Sequence, residues 1–270
     1  MKNIENPISI KKHWFARHES TKNLVDFCKK LEQFNYDSIL IPFSYEFGDP
    51  FIKTCILLNE TNKLNYLIAF PPYLISPEYC SMIIKSINEA YPNRNIMLNI
   101  VNTLERTKNN IFKINKTQEE VRLLSGDFSK KLKDNIECSI SFSGNSDITI
   151  KNVLLIGEMQ ISEFEKINNK QIEEIKNGGK RIMVRVFIVA RETKKDAIEW
   201  YNDTLKKMKD DNDDLIFIDR VMKNSIIGSY EEVKDVILNL EKIGITDLLV
   251  SDIHWTNDEE NVHKALEFIQ

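Results

Sequence analysis

Residues 64–101, LNYLIAFPPYLISPEYCSMIIKSINEAYPNRNIMLNIV, contain one complete unit of the pattern that runs through the chain. The apolar stretch 65–70 has the length and composition of a buried strand. Ser76 and Pro77 then begin an amphipathic helix, because serine caps a helix and proline is tolerated at its first position. A second apolar strand pattern follows at 96–101. This strand–helix–strand unit predicts two parallel neighbours in one sheet, since parallel strands need a long crossover.

The same alternation extends to both ends of the chain and predicts eight strands, mostly separated by helices. The strand patterns lie at 8–15, 37–42, 65–70, 96–101, 138–142, 153–157, 181–190 and 246–251. Helical patterns follow Ser20 and cover 51–58, 77–90, 118–124, 161–176, 193–209, 230–243 and 257–268. The fifth and sixth strand patterns are so close together that no helix is predicted between them.

The number of strands favours a closed barrel over an open sheet. Eight parallel strands, each followed by a helix, close an α/β barrel, and 270 residues is an ordinary length for one. An open doubly wound sheet usually has a glycine-rich phosphate turn after its first strand. The corresponding stretch, FARHES at 15–20, contains no glycine. We therefore predict a single α/β domain over 1–270, a (β/α)8 TIM barrel, with the open sheet as the alternative.

The composition bounds the class of protein. Apolar residues make up 42% of the chain and charged residues 29%, which is enough apolar material for a large core. A net charge of −4 argues against a nucleic-acid surface, which needs clustered Lys and Arg. No stretch has the length of a membrane span or the apolar core of a signal peptide, so we expect a cytoplasmic protein. The four cysteines form no CxxC pair, are interpreted as small buried apolar residues, and predict no metal site.

Four long segments, in order along the chain, resemble the bacterial luciferase-like, flavin-dependent monooxygenase superfamily, closest to its alkanesulfonate monooxygenase branch. They are YDSILIPFSYEFGDPFIKTCIL (36–57), the stretch 64–101 quoted above, RIMVRVFIVARETKKDAIEW (181–200) and SIIGSYEEVKDVILNLEKIGITDLLVS (225–251). In addition, SFSGNSD (141–147) is similar to a shortened form of the branch's Gly-Gly-Ser-Ser-Asp turn after the fifth strand. The resemblance implies a luciferase-like TIM barrel with shortened insertions.

The resemblance also implies an activity. Members of this superfamily are oxidoreductases that bind reduced FMN, supplied by a separate flavin reductase, at the C-terminal mouth of the barrel. They use oxygen to oxygenate a small-molecule substrate. We therefore expect an enzyme, an FMN-dependent monooxygenase, that pairs as a homodimer or as a heterodimer with a paralogue and that need not retain FMN on purification.

Two residues match catalytic positions of the superfamily. Arg185, within the seventh strand pattern, matches an arginine at the substrate end, where a guanidinium can hold an anion. The alternative is a structural ion pair, because an unpaired buried charge is costly. His18, just past the first strand pattern, matches a histidine near the flavin, and its alternative is a solvated or capping role.

A second set of residues matches flavin-binding positions. The set comprises Asn102, Ser143, Gly144, Asn145, Ser146, Gly228 and Ser229. An amide at the end of the fourth strand can hydrogen-bond the isoalloxazine edge, and the hydroxyls and backbone amides of the turn 143–146 can hold the FMN phosphate. A plain strand-end turn and an ordinary loop are the alternatives at these two places. The absence of a predicted helix after the turn weakens the phosphate site, and Gly228 also suits a purely backbone role.

The chain departs from the alkanesulfonate branch at positions where that branch has polar groups. Phe47 replaces a cysteine, Phe187 a histidine and Ile253 a tyrosine, and these side chains cannot donate a proton or hold an oxyanion. The lid of the relatives is reduced to about residues 210–224. We therefore expect Phe47, Phe187 and Trp255 to line a pocket for an apolar substrate rather than a sulfonate. The alternatives are a catalytically depleted flavin-binding protein or partner subunit of an active paralogue, and a barrel that uses a deazaflavin or no flavin.

Overall fold

Strands and helices alternate along the chain. The computed structural model describes residues 9–16, 20–43, 48–102, 115–210, 214–253 and 258–269. The strands are β1 Lys11–Phe15, β2 Ser38–Ile41, β3 Asn65–Phe70, β4 Ile96–Ile100, β5 Ser139–Ser143, β6 Met159–Glu163, β7 Arg181–Arg191, β8 Ser225–Ser229 and β9 Asp247–Ser251. The helices are α1 Thr21–Gln33, α2 Pro50–Glu60, α3 Pro77–Ala90, α4 Gln118–Asn135, α5 Asp147–Leu155, α6 Asn169–Asn177, α7 Lys194–Asp210, α8 Leu215–Asn224, α9 Tyr230–Ile243 and α10 Glu259–Ala265, with a turn of 3-10 helix at Phe164–Lys166.

Eight of these strands form a closed parallel ring. Strands β1 to β7 each pair with the next strand in sequence order, and β9 closes the ring by pairing with both β7 and β1. The prediction of a (β/α)8 barrel is therefore confirmed. Strand β8 stands outside the ring and pairs with the second half of β7, from Phe187↔Ser225 to Arg191↔Ser229. Because the strands are parallel, all their C-terminal ends meet at one mouth of the barrel.

The helix starts follow from capping side chains. A side-chain oxygen accepts a hydrogen bond from a first-turn backbone N–H at the start of most helices, which satisfies a donor that the helix itself leaves unpaired. The capping residues are Ser20, Asp49, Ser76, Thr117, Ser146, Asn168, Asp214 and Ser229. None of the described helices is long and apolar enough to span a bilayer.

Apolar side chains fill both sides of the ring. Alternate residues of each strand point inward and outward, so the barrel interior and the layer between strands and helices are separate clusters. Among the interior residues are Leu40, Leu67, Met159, Met183 and Leu249. The outer layer is larger and includes fully buried Trp14, Phe142 and Val184.

A polar layer closes the N-terminal end of the barrel, opposite the mouth. His13 shares a hydrogen bond of 2.6 Å between Nδ1 and Ser38 Oγ, and one of 2.7 Å between Nε2 and Asp247 Oδ1. Asp247 also accepts from Arg181 Nε at 3.0 Å and from Thr246 Oγ1 at 2.6 Å. Burial alone would raise the pKa of Asp247, but the hydrogen bonds and charges of His13 and Arg181 outweigh it and lower the pKa to about 2.

One predicted strand is wrong, and the error affects the site. The stretch 153–157 was expected as the sixth strand with no helix before it, whereas residues 147–155 form α5 and the sixth strand is β6 at Met159–Glu163. The strand MQISE escaped detection because three of its five residues are polar. Gln160 Nε2 donates to Gly144 O at 2.9 Å, and Ser162 Oγ donates to Asn145 Oδ1 at 3.0 Å, so these polar groups are paired within the fold.

Two further stretches contain more structure than the sequence patterns predict. The helical pattern at 161–176 divides into the end of β6, the 3-10 turn and α6. The stretch 210–224, expected as a reduced lid, contains α8, and β8 follows it directly. The buried stripe of α8, Ile218, Val221 and Asn224, covers only about two turns, which is shorter than the window over which a helical period is recognised.

Candidate active site

A cavity of about 480 Å³ opens at the C-terminal mouth of the barrel. This is the end at which α/β barrels carry their active sites, and the volume is typical of small-molecule sites, roughly 300–1,000 Å³. Its floor consists of inward-facing apolar side chains from five strands. These are Phe15, Leu40, Ala69, Ile161 and Leu249.

The rim of the cavity is positively charged. Four of the described lining residues are cationic, namely Arg122 of α4, Lys166 of the 3-10 turn, Arg185 of β7 and Arg220 of α8. Glu163, at the end of β6, is the carboxylate among the described lining residues. The chain as a whole carries −4, so the positive charge is local to the mouth. A concave surface of one sign concentrates ligands of the opposite sign.

Arg185 lies deep in this rim and has no close ion-pair partner among the described residues. Its Nε donates to Ser251 Oγ at 3.0 Å, and its guanidinium carbon lies 3.9 Å from the centre of the Phe15 ring. Among the described residues the nearest carboxylate contact, from Nη1 to Glu163 Oε1, is 3.9 Å, which is too long for a hydrogen bond. Burial lowers the pKa of Arg185 to about 10, against the opposing charge of Glu163, so the side chain stays charged at neutral pH. This geometry favours the anion-binding interpretation of Arg185 over the structural one.

Glu163 lies between two arginines. Its Oε1 is 3.4 Å from Arg220 Nε in addition to the longer contact with Arg185. Its Oε2 is buried and has no hydrogen-bond partner in the described part of the chain. Arg220 extends from α8, which is also tied to the 3-10 turn after β6 because Glu165 N donates to Asn224 Oδ1 at 3.0 Å.

The turn after β5 approaches the cavity through Ser143, Gly144 and Asn145. Gly144 has a φ of +119°, a conformation that costs a side-chain-bearing residue strain. Its N–H donates to Ile161 O at 2.9 Å, which fixes the turn against β6. Because α5 starts immediately after the turn, a helix N-terminus with its unpaired backbone N–H groups lies beside the cavity. The structure therefore contains a helix after this turn, and with it a helix dipole, that the sequence patterns did not predict.

Two asparagines face this turn, Asn99 within β4 and Asn102 just after it. Asn99 lines the cavity and accepts from Ser143 Oγ at 3.0 Å. Asn102 is buried, and its Nδ2 donates to Thr149 Oγ1 at 3.2 Å within the first turn of α5. Its Oδ1 is buried without a partner among the described residues. Asn102 therefore keeps an unused acceptor, and its proposed contact with a flavin stays a prediction.

The other side chains of the turn are held within the protein. Asn145 Nδ2 donates to Ser162 Oγ at 2.8 Å and to Gln171 Oε1 at 3.1 Å, which ties the turn to β6 and α6. Ser146 caps α5 by accepting from Thr149 N at 3.3 Å. These two residues shape the turn, so its backbone and Ser143 are the parts left to meet a ligand.

Five of the predicted residues are not part of the described cavity lining, namely Asn102 and Ser146, whose contacts are given above, and Gly228, Ser229 and Phe187. Gly228 and Ser229 precede α9, and both the backbone N–H and the hydroxyl of Ser229 are engaged with Glu232 in a capping box. Phe187 is fully buried beneath α8, with its ring centre 5.9 Å from that of Phe217 and 5.6 Å from the guanidinium carbon of Arg185. It supports the wall of the cavity from behind. His18, Phe47 and Trp255 lie outside the described residues, and their roles stay predictions.

Four charged residues of the cavity lining were not predicted from the sequence. They are Arg122, Glu163, Lys166 and Arg220. Arg122 and Arg220 sit on amphipathic helices, where a charged residue normally indicates a solvated face. Glu163 and Lys166 belong to the strand and the turn that were assigned to a helix. No sequence spacing connects the four, because the barrel closure alone brings them together.

Comparison with known proteins identifies the type of barrel. No protein-family model and no curated protein sequence matches the chain. Solved structures resemble it over nearly the whole chain: riboflavin lyase with modified FMN and its substrate riboflavin (TM-score 0.76, 11% identity, 96% of this chain and 90% of that chain), an F420-dependent secondary alcohol dehydrogenase in complex with an F420-acetone adduct (0.74, 11%, 97% and 99%), and EDTA monooxygenase from Chelativorans sp. BNC1 (0.74, 8%, 97% and 92%). At these identities the likeness establishes the fold. The chain is therefore a (β/α)8 barrel with the luciferase-like monooxygenase fold.

Proposed function

We propose that this chain is a flavin-dependent oxidoreductase, a luciferase-like monooxygenase that uses reduced FMN and oxygen. The observation that carries the proposal is the mouth cavity, whose apolar floor and cationic rim match the two halves of FMN. An isoalloxazine ring suits the floor, and a phosphate suits the rim. The similarity in fold to riboflavin lyase and EDTA monooxygenase supports the proposal.

The residues present fit the phosphate of FMN. The backbone of the turn 143–146 bends through Gly144 towards the cavity, and the first N–H groups of α5 lie behind it. Ser143 Oγ, which donates to Asn99 Oδ1 in the free protein, can turn its hydroxyl towards a phosphate at the cavity surface, and Arg122 and Lys166 add positive charge. Charge-assisted hydrogen bonds of this kind are the strong ones for phosphate recognition.

The chain's own residues bind, orient and exclude water. When bound, reduced FMN supplies the electrons that activate oxygen. The floor residues Phe15, Ile161 and Leu249 keep water from the reacting face, because they present only carbon atoms to it. Arg185, fixed by Ser251 and by the Phe15 ring, holds an anionic group in a defined position.

The apolar floor also suits a substrate with an apolar body. The apolar floor is the part of the substrate proposal that rests on described residues. Phe47 lies outside the described residues, and Phe187 lies behind the cavity wall. A flavin reductase as the source of reduced FMN, and pairing with a second copy or a paralogue, belong to the same proposal.

Two alternatives have their own observations. A flavin-binding subunit without turnover is favoured by Phe187, because a buried phenyl ring stands where relatives have a proton-transferring histidine. A deazaflavin cofactor is favoured by the similarity to an F420-dependent dehydrogenase.

The test is a titration of the purified protein with oxidised and with reduced FMN, followed by oxygen consumption in the presence of NADH and a flavin reductase. We expect binding of FMN and, when a substrate is present, oxygen uptake above that of the reductase alone. Binding without any turnover would favour the subunit alternative. If neither redox form of FMN binds, the proposal is wrong.

A further inference from the structure

Flavin binding leaves Glu163 unexplained. Its Oε2 is buried against the cavity wall and has no partner among the described residues. A buried acceptor without a hydrogen bond is destabilising. Because the terminal torsion of a glutamate is broad, a small rotation of the carboxylate brings this acceptor to the cavity surface, where a ligand can supply the missing donor.

The two arginines beside Glu163 have no close carboxylate partner among the described residues. Arg185 and Arg220 share the single oxygen Oε1, at 3.9 Å and 3.4 Å. Neither distance is that of a good charge-assisted hydrogen bond, roughly 2.7–2.9 Å. Asp252 adds a second negative charge near Arg185, but the four cationic lining residues still outnumber these two carboxylates, so the mouth keeps a net positive charge that favours an anionic ligand.

The unpartnered acceptor of Glu163 and the two guanidinium groups lie close together. Both oxygens of Glu163 are bonded to one carbon, so the unpartnered Oε2 lies next to the oxygen that the arginines flank. A ligand that satisfies both must carry its hydrogen-bond donor on an atom adjacent to its anionic group. The neighbouring floor, formed by Phe15, Ile161 and Leu249, then receives the rest of the ligand.

We propose that Glu163, Arg185 and Arg220 recognise a monoanionic α-hydroxy or α-amino carboxylate with an apolar side chain. The carboxylate lies against the two guanidinium groups, and the hydroxyl or ammonium group donates to Glu163 Oε2. That this ligand is the substrate rests on the proposed flavin-dependent function, whereas its binding does not. The proposal replaces a purely apolar substrate with one that is apolar at one end only.

The experiment compares three small probes by calorimetric titration of the full chain. Mandelate has the aromatic body, the carboxylate and the adjacent hydroxyl. Phenylacetate lacks the hydroxyl, and 1-phenyl-1,2-ethanediol lacks the carboxylate. We expect mandelate to bind at least tenfold more tightly than either of the other two. Equal binding of mandelate and phenylacetate, or no binding of mandelate, would overturn the proposal.

Two variants test the contact with Glu163 and the contact with Arg220 separately. Glu163→Met keeps the length of the side chain but removes both carboxylate acceptors, so it should abolish the preference for mandelate over phenylacetate. Arg220→Gln should weaken both acids about equally and leave the diol unchanged. Lys223→Gln is the matched control, because Lys223 lies on the same helix in an exposed ion pair with Asp219, and it should leave all three affinities unchanged. A loss of the preference in Lys223→Gln as well would contradict the assignment.

An FMN titration of the same proteins distinguishes the two proposals. If mandelate is preferred but FMN does not bind, the carboxylate site stands and the flavin-dependent function is wrong. If FMN binds and mandelate is not preferred, the substrate class is wrong. Thermal unfolding of each variant shows that it is folded before its affinity is interpreted.

Discussion

The barrel carries two polar clusters on its inner face, one at each end, and they are built in opposite ways. At the N-terminal end, His13, Asp247 and Arg181 are joined by hydrogen bonds, with 2.7 Å between His13 and Asp247 and 3.0 Å between Arg181 Nε and Asp247. At the mouth, the contacts of Glu163 with Arg185 and Arg220 are 3.4–3.9 Å long, and one of its oxygens has no partner among the described residues.

The difference separates a stabilising cluster from a binding one. Buried charges stabilise a fold only when close partners compensate their loss of water. The N-terminal cluster meets this condition, whereas the mouth cluster leaves positive charge and an acceptor unmatched beside a cavity. A site of this kind lowers the stability of the free protein and gains it back when a ligand supplies the missing groups.

The largest expected effect is that of breaking the N-terminal cluster. Asp247→Ala leaves His13 and Arg181 without their shared acceptor, and we expect the free energy of unfolding to fall by about 3–5 kcal/mol in urea denaturation. The control is Asp219→Ala, which removes a carboxylate from an exposed i,i+4 pair with Lys223 and should cost about 0.5 kcal/mol or less. Similar costs for the two variants would show that the N-terminal cluster is not a stabilising one.

The same cluster predicts a pH dependence at the acid end. Asp247 has its pKa lowered from 3.8 to about 2, so its contribution is present above pH 4 and is lost as the pH falls towards 2. The expected loss is about 2 kcal/mol. The free energy of unfolding of Asp247→Asn, which cannot titrate, should therefore approach that of the wild type between pH 4 and pH 2. A gap that stays constant over this range would contradict the lowered pKa.

A matched pair of arginines on one strand compares the two clusters directly. Arg181 and Arg185 lie on the same face of β7, at its N-terminal end and at the mouth. Arg185→Met should leave the free energy of unfolding unchanged or raised, because it removes a poorly paired buried charge, but should weaken binding of mandelate at least tenfold. Arg181→Met should leave mandelate binding unchanged and lower stability by about 1 kcal/mol. If Arg181→Met weakened mandelate binding and Arg185→Met lowered the free energy of unfolding, the roles assigned to the two clusters would be wrong.

The smallest expected effect concerns the turn at the mouth. Gly144→Ala places a side chain at a φ of +119°, where the added Cβ has room but the backbone is strained, so we expect a loss of about 1 kcal/mol together with weaker FMN binding. Gly179→Ala, at a φ of +68° after α6 and also with room for a Cβ, is the control. It should cost similar stability and leave FMN binding unchanged, as measured by flavin fluorescence.

The sequence was sufficient for the barrel but not for all of its parts. Apolar runs such as 65–70 and 181–190 predict strands because both of their faces are buried. Strand β6 was missed because Gln160 and Ser162 pair with the neighbouring turn, which removes the apolar run that would have indicated a strand. That single error also removed α5 from the predicted phosphate site.

The site was predictable only where a local motif exists. The turn residues Ser143, Gly144 and Asn145, and Arg185 within an apolar strand, were identified from the sequence and line the cavity. Arg122 and Arg220 were not, because each lies on a helix surface and reaches the mouth only through the closure of the barrel. The roles of Gly228 and Ser229 remain predictions, and the structure places both at the start of α9.

The most direct test of the account is the thermal unfolding midpoint with FMN and with riboflavin, which lacks the phosphate. If the rim at the mouth is an incomplete anion site, FMN at about 100 times its Kd should raise the midpoint by roughly 5 °C or more. Riboflavin at the same concentration should raise it clearly less. Equal shifts for the two flavins, or no shift with FMN, would contradict the claim that the mouth is built to bind an anionic flavin.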